Sequence, residues 1–492
     1  MRVSSRLRRI LLASAVAVVA AAPARAQVTI DEFPVPTGGS RPYTIVAGPD
    51  GALWFTESIG NKIGRITTAG SIKEYQVPTA DSGPYGIATG SDGNIWFTER
   101  FGDQIARFKI AGQQISEFPI APFAQAWDIA PGADGNLWFA EEDIHQVGKI
   151  TTSGAVAEFP IGTCCFPTHI APGVDGNVWY TIEISDQIGR IDTFGNSTLF
   201  PVSDQQVLVW DITPGPDGNV WFSELAGRAI GRITPAGAVT EFPIPGDFSG
   251  IAGVSAGWDG NIWYTENDTN FVGSVDVNGT VLPKYTTGLR PLSITPGPDG
   301  NMWFTIADGN AIGRVNIATP GEGYVLSMDG GFSPKRRIVQ IGQTVNWMFV
   351  GPRPHSVVDS SGLGLFNSGS KSIVSYFSHT FTAAGTYSYE DGEPGGTLAA
   401  EINIPPTAPS SATVNVPFPV TWATEPEPLT MVFDVQVQVP GAPDFVLWMT
   451  TPNLSANYTP PTPGKYRFRA RLRSETGAAI GYSPPALVVV EP

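Results

Sequence analysis

Cysteine is nearly absent: two residues in 492, adjacent at Cys164 and Cys165, so disulfide bonds do not build the fold. Charge is scarce too, at 15% of residues against 42% hydrophobic. Ala, Glu, Lys and Leu do not recur at a 3.6-residue period, which argues against a mainly helical chain. Beyond the N-terminus no run is long and apolar enough for a transmembrane helix. Positive charge is the last shortage. The net charge of −16 becomes −21 without the first 26 residues, which hold five arginines and no acid. Such a chain repels phosphate and anionic lipid, so nucleic acid and membrane insertion are set aside as partners.

What is abundant is turn chemistry, with 56 Gly and 44 Pro. The stretch Gly48-Pro-Asp-Gly-Ala-Leu-Trp-Phe-Thr-Glu57 recurs seven times. Its tryptophan stands at Trp54, Trp96, Trp138, Trp179, Trp221, Trp263 and Trp303, in steps of 40–42 residues. A period near 40 residues with several short β-patterned runs per unit is the signature of a propeller blade. Each unit holds a small inner run, the Trp run after an Asp-Gly turn, an Ile-Gly-Arg type run and an outer Glu-Phe-Pro type run. The first outer run, at Asp31-Glu-Phe-Pro34, precedes the first blade and none follows Val315, so residues 28–36 are expected to close the last blade.

The N-terminus has a basic segment (Arg2, Arg6, Arg8, Arg9), an apolar run over residues 10–22 and a small-x-small site at Ala24-Arg25-Ala26. This reads as a signal peptide at 1–26, giving a secreted or periplasmic product that is expected to be monomeric. Chain length leaves room for roughly two to four domains. The expected class is all-β: a seven-bladed β-propeller at 27–319 followed by two small β-sandwiches at 324–404 and 412–492, with linkers at 318–324 and 405–411.

Where the repeats stop agreeing, ligand chemistry is expected. Just before each inner-strand aliphatic stand Tyr43, Tyr85, Trp127 with Asp128, His169, and Trp210 with Asp211. Aromatic rings with a few polar groups suit a small molecule, peptide or cell-wall glycan at the channel mouth. The bland alternative is a channel plug. A ring of glutamates at the Trp-strand ends, with Glu141, Glu183 and Glu224 as the fallback metal candidates, fits a divalent cation less well than a hydrogen bond to the neighbouring blade's backbone or to the repeated Arg of Ile63-Gly-Arg65. No metal or cofactor is therefore expected. Cys164 and Cys165 are expected to form a vicinal disulfide at the pocket rim.

The repeat Gly-Pro-Asp-Gly-Asn-x-Trp-Phe-Thr-Glu, with Ile-Gly-Arg-Ile-Thr and Glu-Phe-Pro-Ile-Pro, resembles the streptogramin B (virginiamycin B) lyase family over residues 28–318. The resemblance implies a seven-bladed propeller and opening of a cyclic depsipeptide by elimination, with a histidine base and Mg²⁺ at the mouth. The family's Glu-Pro-His-Gly-Ile segment reads Arg290-Pro-Leu-Ser-Ile294 here. Arg290 replaces the metal-side Glu, Leu292 the base, and Ala252-Gly253 a substrate-holding histidine. Leucine abstracts no proton. Mg²⁺ is therefore expected only if lyase activity survives at a displaced site, for which His169 and His145 are the candidate catalytic residues. A ligand-binding exported propeller is the first reading, the displaced lyase the second, and a structural cell-surface protein the third.

Val339-Gln-Ile-Gly-Gln-Thr-Val-Asn-Trp347, Pro354-His-Ser-Val357 and Gly385-Thr-Tyr-Ser-Tyr389 resemble a cupredoxin. His355 maps to the first copper ligand, but no Cys, His or Met stands near Asp391, so copper is not expected and His355 should be a surface or rim residue. Phe418-Pro-Val-Thr-Trp422 and Tyr466-Arg-Phe-Arg-Ala-Arg471 resemble a fibronectin type III sandwich.

Overall fold

Each Asp-Gly turn is built around its tryptophan. In the computed structural model, which describes residues 28–492 except 163–164, 203–206, 247–249, 395–398 and 427–429, all seven tryptophans are at most 2% exposed. Every indole Nε1 donates to the turn aspartate four residues earlier, at 3.0–3.2 Å. A buried N–H needs such an acceptor. The glycine after each Asp has φ between +69° and +86°, the left-handed region that glycine enters at no steric cost. The glycine that opens the turn lies under the indole: a Cβ there would meet Trp Cδ1 at 2.3–2.7 Å. Gly48-Pro-Asp-Gly-x-x-Trp is thus one packing unit. The expected signal peptide lies outside the described residues, as does Cys164 and with it the bridge to Cys165.

The protein is all-β. Residues 29–316 form seven four-stranded antiparallel sheets in chain order, and the innermost strands touch their neighbours in a closed cycle, last against first. The final sheet takes its outer strand from the N-terminus. Thr29–Pro34 pairs antiparallel with Ala311–Asn316 along its whole length.

Two repeated side chains hold the sheets together. The basic residue of the third run ion-pairs with its own turn aspartate at 2.7–3.7 Å in six sheets. In five of them it also donates to a carbonyl of the next sheet at 2.7–3.0 Å, Arg314 reaching round to Thr68. The expected Glu–Arg pairing is therefore corrected: the arginine serves the turn aspartate and the inter-sheet seam. The second device is the Thr of Trp-Phe-Thr-Glu. Its hydroxyl accepts from an inner-strand N–H of its own sheet and donates to a carbonyl of the next, as Thr56 does with Thr44 N at 3.1 Å and Tyr85 O at 2.6 Å. Thr98, Thr181, Ser223, Thr265 and Thr305 repeat the bridge.

Residues 323–491 form two further pairs of sheets. Gly323–Met328, Gly331–Ser333, Thr344–Phe349 and Ser375–Thr380 make one sheet, and Arg336–Ile338, Val358–Asp359, Gly385–Glu390 and Ala399–Ile404 its partner. Beyond them a five-stranded sheet faces the hairpin of Phe418–Thr421 and Ser455–Tyr458. One hydrophobic core, including Trp347, Phe381, Trp422 and Phe468, runs through both pairs. The first pair also seats on the base of the ring. Ser333 Oγ donates to Gly48 O at 2.6 Å and Tyr376 Oη to Gly257 O at 2.6 Å, while Trp258 meets Tyr324 edge-on at 5.1 Å. Leu326, Met328, Met348, Ile373 and Val374 face the lower channel across a mainly apolar cavity of about 220 Å³. These contacts arise because both surfaces are apolar. The linkers at 318–324 and 405–411 therefore do not hold the units apart.

His355 corrects its expectation as well. It is 3% exposed, with Nε2 2.8 Å from Asp329 and Nδ1 2.7 Å from Asp391. Despite burial, the two carboxylates push its pKa up to about 9, so it is a cation at neutral pH.

Candidate functional site

The inner strands of the ring carry the residues that differ between repeats. Two successive positions matter, and the hydroxyl bridges fix both. The upper one holds Tyr43, Tyr85, Trp127, Thr168, Trp210, Ala252 and Leu292. The next one down holds Thr44, Gly86, Asp128, His169, Asp211, Gly253 and Ser293. Among the hydroxyl positions of the Trp strands only the third sheet breaks the pattern, with Ala140.

The upper residues form a contiguous aromatic floor. Tyr43 and Tyr85 lie 4.3 Å apart, Tyr85 and Trp127 5.6 Å, and Trp127 and Trp210 5.6 Å at 88°. Ala252 and Leu292 complete it with Leu225 and Ala307, an apolar cluster that Tyr43 and Trp210 join. Edge-to-face packing of this kind stabilises the rings beyond their burial. Arg100 lies over this floor, its guanidinium 3.8 Å from the centre of Trp127 and 5.1 Å from that of Tyr85. Glu142 holds it at 2.6 Å. Glu183, whose pKa is raised by burial and then by Glu142, belongs to this same outer rim. Sequence reasoning missed Arg100 and Glu142. The signal was available in the residue after each strand-end acid, which reads Ser58, Arg100, Glu142, then Leu225 and Asn267.

Of the expected ligand residues, Tyr43, Tyr85, Trp127 and Trp210 meet in the floor, whereas Asp128, His169 and Asp211 lie a layer below it. Asp128 accepts from Ile170 N at 3.2 Å, and Asp211 from Ile212 N and Val254 N at 2.8 Å each. Burial raises their carboxyl pKa values to about 8 and about 7. His169 is buried, and that burial pushes its ring down to about 3, so it is neutral and a poor proton acceptor near pH 7. Trp127 and Trp210 pack against it with ring centres at 6.1 and 4.9 Å. His145 sits elsewhere: its Nδ1 bonds Cys165 O at 2.7 Å and its ring meets Phe166 at 4.5 Å. The structure thus separates the two histidines from each other and from an open mouth.

The glutamate ring does not converge either. Glu183 falls outside the series, because Ile182 holds the strand-end position and Glu183 starts a short 3₁₀ turn. Glu141 and Glu224 each face their own outer strand, against Glu158 and Glu241. Among the described residues no three His, Cys, Asp or Glu side chains gather to hold a metal ion. Burial, then Glu158, pushes Glu141 up to about 9. Its ionisation therefore opposes folding increasingly as pH rises from the ordinary carboxyl range toward 9. Glu141→Gln keeps the shape without the charge. Its melting midpoint should exceed wild type at pH 9 and equal it at pH 5, and equal midpoints at both pH values would contradict this.

In the last sheet, Arg290 lies 3.8 Å from Asp308 and Leu292 is buried. A guanidinium in the metal-side position and a methyl-capped side chain in the base position do not fit Mg²⁺ or proton abstraction there.

A closed ring of four-stranded sheets with its distinguishing residues at one mouth defines a β-propeller. The chain belongs to the Virginiamycin B lyase family, whose pattern it matches over residues 20–164 and 121–331. It is similar to a streptogramin B lyase structure, 32% identical, covering 60% of this chain and 99% of that one with a TM-score of 0.57. Virginiamycin B lyase from Staphylococcus aureus is 30% identical over 59% of this chain and 99% of its own, at a TM-score of 0.56. A catalytically inactive variant of that enzyme with quinupristin is 29% identical over the same shares, with the same TM-score. The extracellular domain of a two-component system from B. thetaiotaomicron shares the fold over 94% of this chain at 12% identity and a TM-score of 0.51, covering 59% of that chain. No described helix is long and apolar enough to cross a membrane.

Proposed function

We propose that this protein is an exported ligand-binding propeller that has lost the lyase chemistry of its family. It would take a small molecule, peptide or glycan on the aromatic floor, with the cupredoxin-like and fibronectin-like units as its structural support. The observation that carries this reading is the packing of Tyr43, Tyr85, Trp127 and Trp210 beside Leu292, which leaves aromatic contact area and no base. Neutral, walled-in His169 and backbone-bonded His145 argue against the displaced lyase. The Arg100–Glu142 pair above the rings favours a ligand site over a purely structural surface protein.

The purified protein, incubated with a streptogramin B depsipeptide in Mg²⁺ or chelator, should leave the ring intact in both. Metal-dependent ring opening would refute the proposal. Binding of that depsipeptide or of cell-wall glycan is expected to quench tryptophan fluorescence. The Trp127→Ala/Trp210→Ala variant should bind at least about tenfold more weakly, the loss of two aromatic contacts. If neither probe binds wild type, or if the variant binds as well, the floor is a plug.

A further inference from the structure

Between the base of the ring and the first pair of C-terminal sheets lies the cavity of about 220 Å³. It is separate from the space of about 40 Å³ under the aromatic floor, with which it shares no lining residue. Its wall has two characters. On the second to fourth sheets the inner strands line it with Ala88, Ala130 and Ala171, each opposite its sheet's tryptophan. Leu326, Met328 and Met348 close it from below. In the same register on the fifth to seventh sheets stand Thr213, Ser255 and Thr295. Ser255 Oγ reaches only Ala256 O, at 3.5 Å, and the Thr213 and Thr295 hydroxyls have no protein partner among the described residues. This row can both donate and accept hydrogen bonds.

Asp329 is the only ionisable residue on the lining, and both its oxygens are taken. Oδ1 lies 2.8 Å from His355 Nε2, and Oδ2 accepts from Arg353 Nε at 2.8 Å. A charged ligand would lose its hydration here without gaining a free counter-charge. The seat that covers the cavity is one-sided. Ser333 bonds the first sheet's turn at Gly48, Gly330 abuts Gly90 and Gly93 of the second, Tyr376 bonds Gly257 of the sixth, and Tyr324 underlies Gly300 of the seventh. At the turns of the fourth and fifth sheets, a Cβ on Gly176 or Gly218 would meet nothing within 4 Å. That side leaves a way in. Val374, buried on the lining, has φ +53°, which β-branched residues avoid, and its N–H is held by Phe349 O at 2.6 Å. Backbone held in this way gathers at ligand sites.

We propose that this cavity binds one compact, uncharged molecule of one or two rings that carries a single hydroxyl or carbonyl group, independently of any ligand on the aromatic floor. An apolar cavity of about 150 Å³ takes benzene, so this one has room for a ring with a substituent. The alanine, leucine and methionine walls bury the ring, and the hydroxyl row orients the polar group.

The test is isothermal titration calorimetry of the full chain at pH 7 with phenol, with toluene (nearly the same shape without the hydroxyl) and with benzoate. Phenol and toluene should each saturate a single site, and benzoate should give no binding heat. The Thr213→Val/Ser255→Ala/Thr295→Val variant should bind phenol about tenfold more weakly, the loss of a hydrogen bond to the row, and toluene as well as before. Both probes should bind the Trp127→Ala/Trp210→Ala variant as they bind wild type, which separates this cavity from the floor. Flat titrations with phenol and toluene would mean a cavity that holds water alone and would overturn the proposal. So would benzoate binding as tightly as phenol, an unchanged phenol affinity in the hydroxyl-free variant, or loss of both probes in the floor variant. Should the hydroxyl-free variant fail to fold, Val350→Trp, which fills the space from the opposite wall, must abolish binding of both probes, and retained binding would equally refute the site.

Discussion

A chain lacking residues 27–38 is expected to lose cooperative unfolding and to aggregate. Thr29–Pro34 makes six residue pairs with Ala311–Asn316. Phe33 stacks on Trp303 at 5.5 Å, and Val35 is 4% exposed in the cluster that joins the first sheet to the last. Around them, Asn310 accepts from Ser40 N at 2.8 Å and donates to Thr37 O at 2.9 Å. Burial of Val35 contributes about 1.5–3 kcal/mol, and the half-buried Phe33 adds a smaller share, against a total stability of about 5–15 kcal/mol. Their removal also bares the edge of Ala311–Asn316, a template for pairing with another chain. Differential scanning calorimetry with light scattering checks this. A wild-type transition in the truncated chain, without scattering, would show that the N-terminal strand does not close the ring energetically.

The parts of this fold that could be read in advance are those set by short-range periodicity. Asp50, Gly51 and Trp54 lie within five residues of one another, and their turn and indole bond recur seven times, so the repeat reveals the sheet unit. The outer run at Asp31-Glu-Phe-Pro34 was legible for the same reason, because it is a displaced copy of a repeated run. Pairings across sheets were not. Arg65 has both Asp50 and Glu57 within reach along the chain, and only the register, which sets Arg65 opposite Trp54, decides for the aspartate. Glu183 was misplaced by one residue: it stands four positions after Trp179 where the other acids stand three after theirs, and Ile182 takes the slot in the ladder. At the mouth, aromatic identity was legible, but the layering that sinks Asp128, His169 and Asp211 below the floor follows from a bulge in each inner strand. The seat of residues 323–380 on the ring's base depends on side chains far apart in sequence, and no local pattern announces it.

Replacing His355 should destabilise the C-terminal sheets more than any other single change on their charged residues. His355 links Asp329, which follows the strand Gly323–Met328, to Asp391, which follows Gly385–Glu390, so it ties the two facing sheets together. Both carboxylates are nearly inaccessible, and Asp329 also accepts from Arg353 Nε at 2.8 Å. His355→Ala leaves two buried negative charges facing each other across a hole, at a cost of about 3–5 kcal/mol. His355→Gln, which donates a hydrogen bond without charge, should fall between the variant and wild type. The sign of the pH dependence follows from the raised pKa. The histidine's contribution is fully present below its ordinary value of about 6.5 and is lost as pH rises through about 9. Asp391 is held below its ordinary value by His355 and by the backbone of Ser356 and Glu393, so its share is lost only as strong acid protonates it. Wild-type stability should therefore fall more steeply between pH 6.5 and 9.5 than that of His355→Ala, which keeps only the slope of buried carboxyls such as Glu141. Urea unfolding of both chains at intervals of pH measures this directly. Parallel profiles, or a variant as stable as wild type at pH 7, would mean that the triad is neutral and that His355 merely fills space.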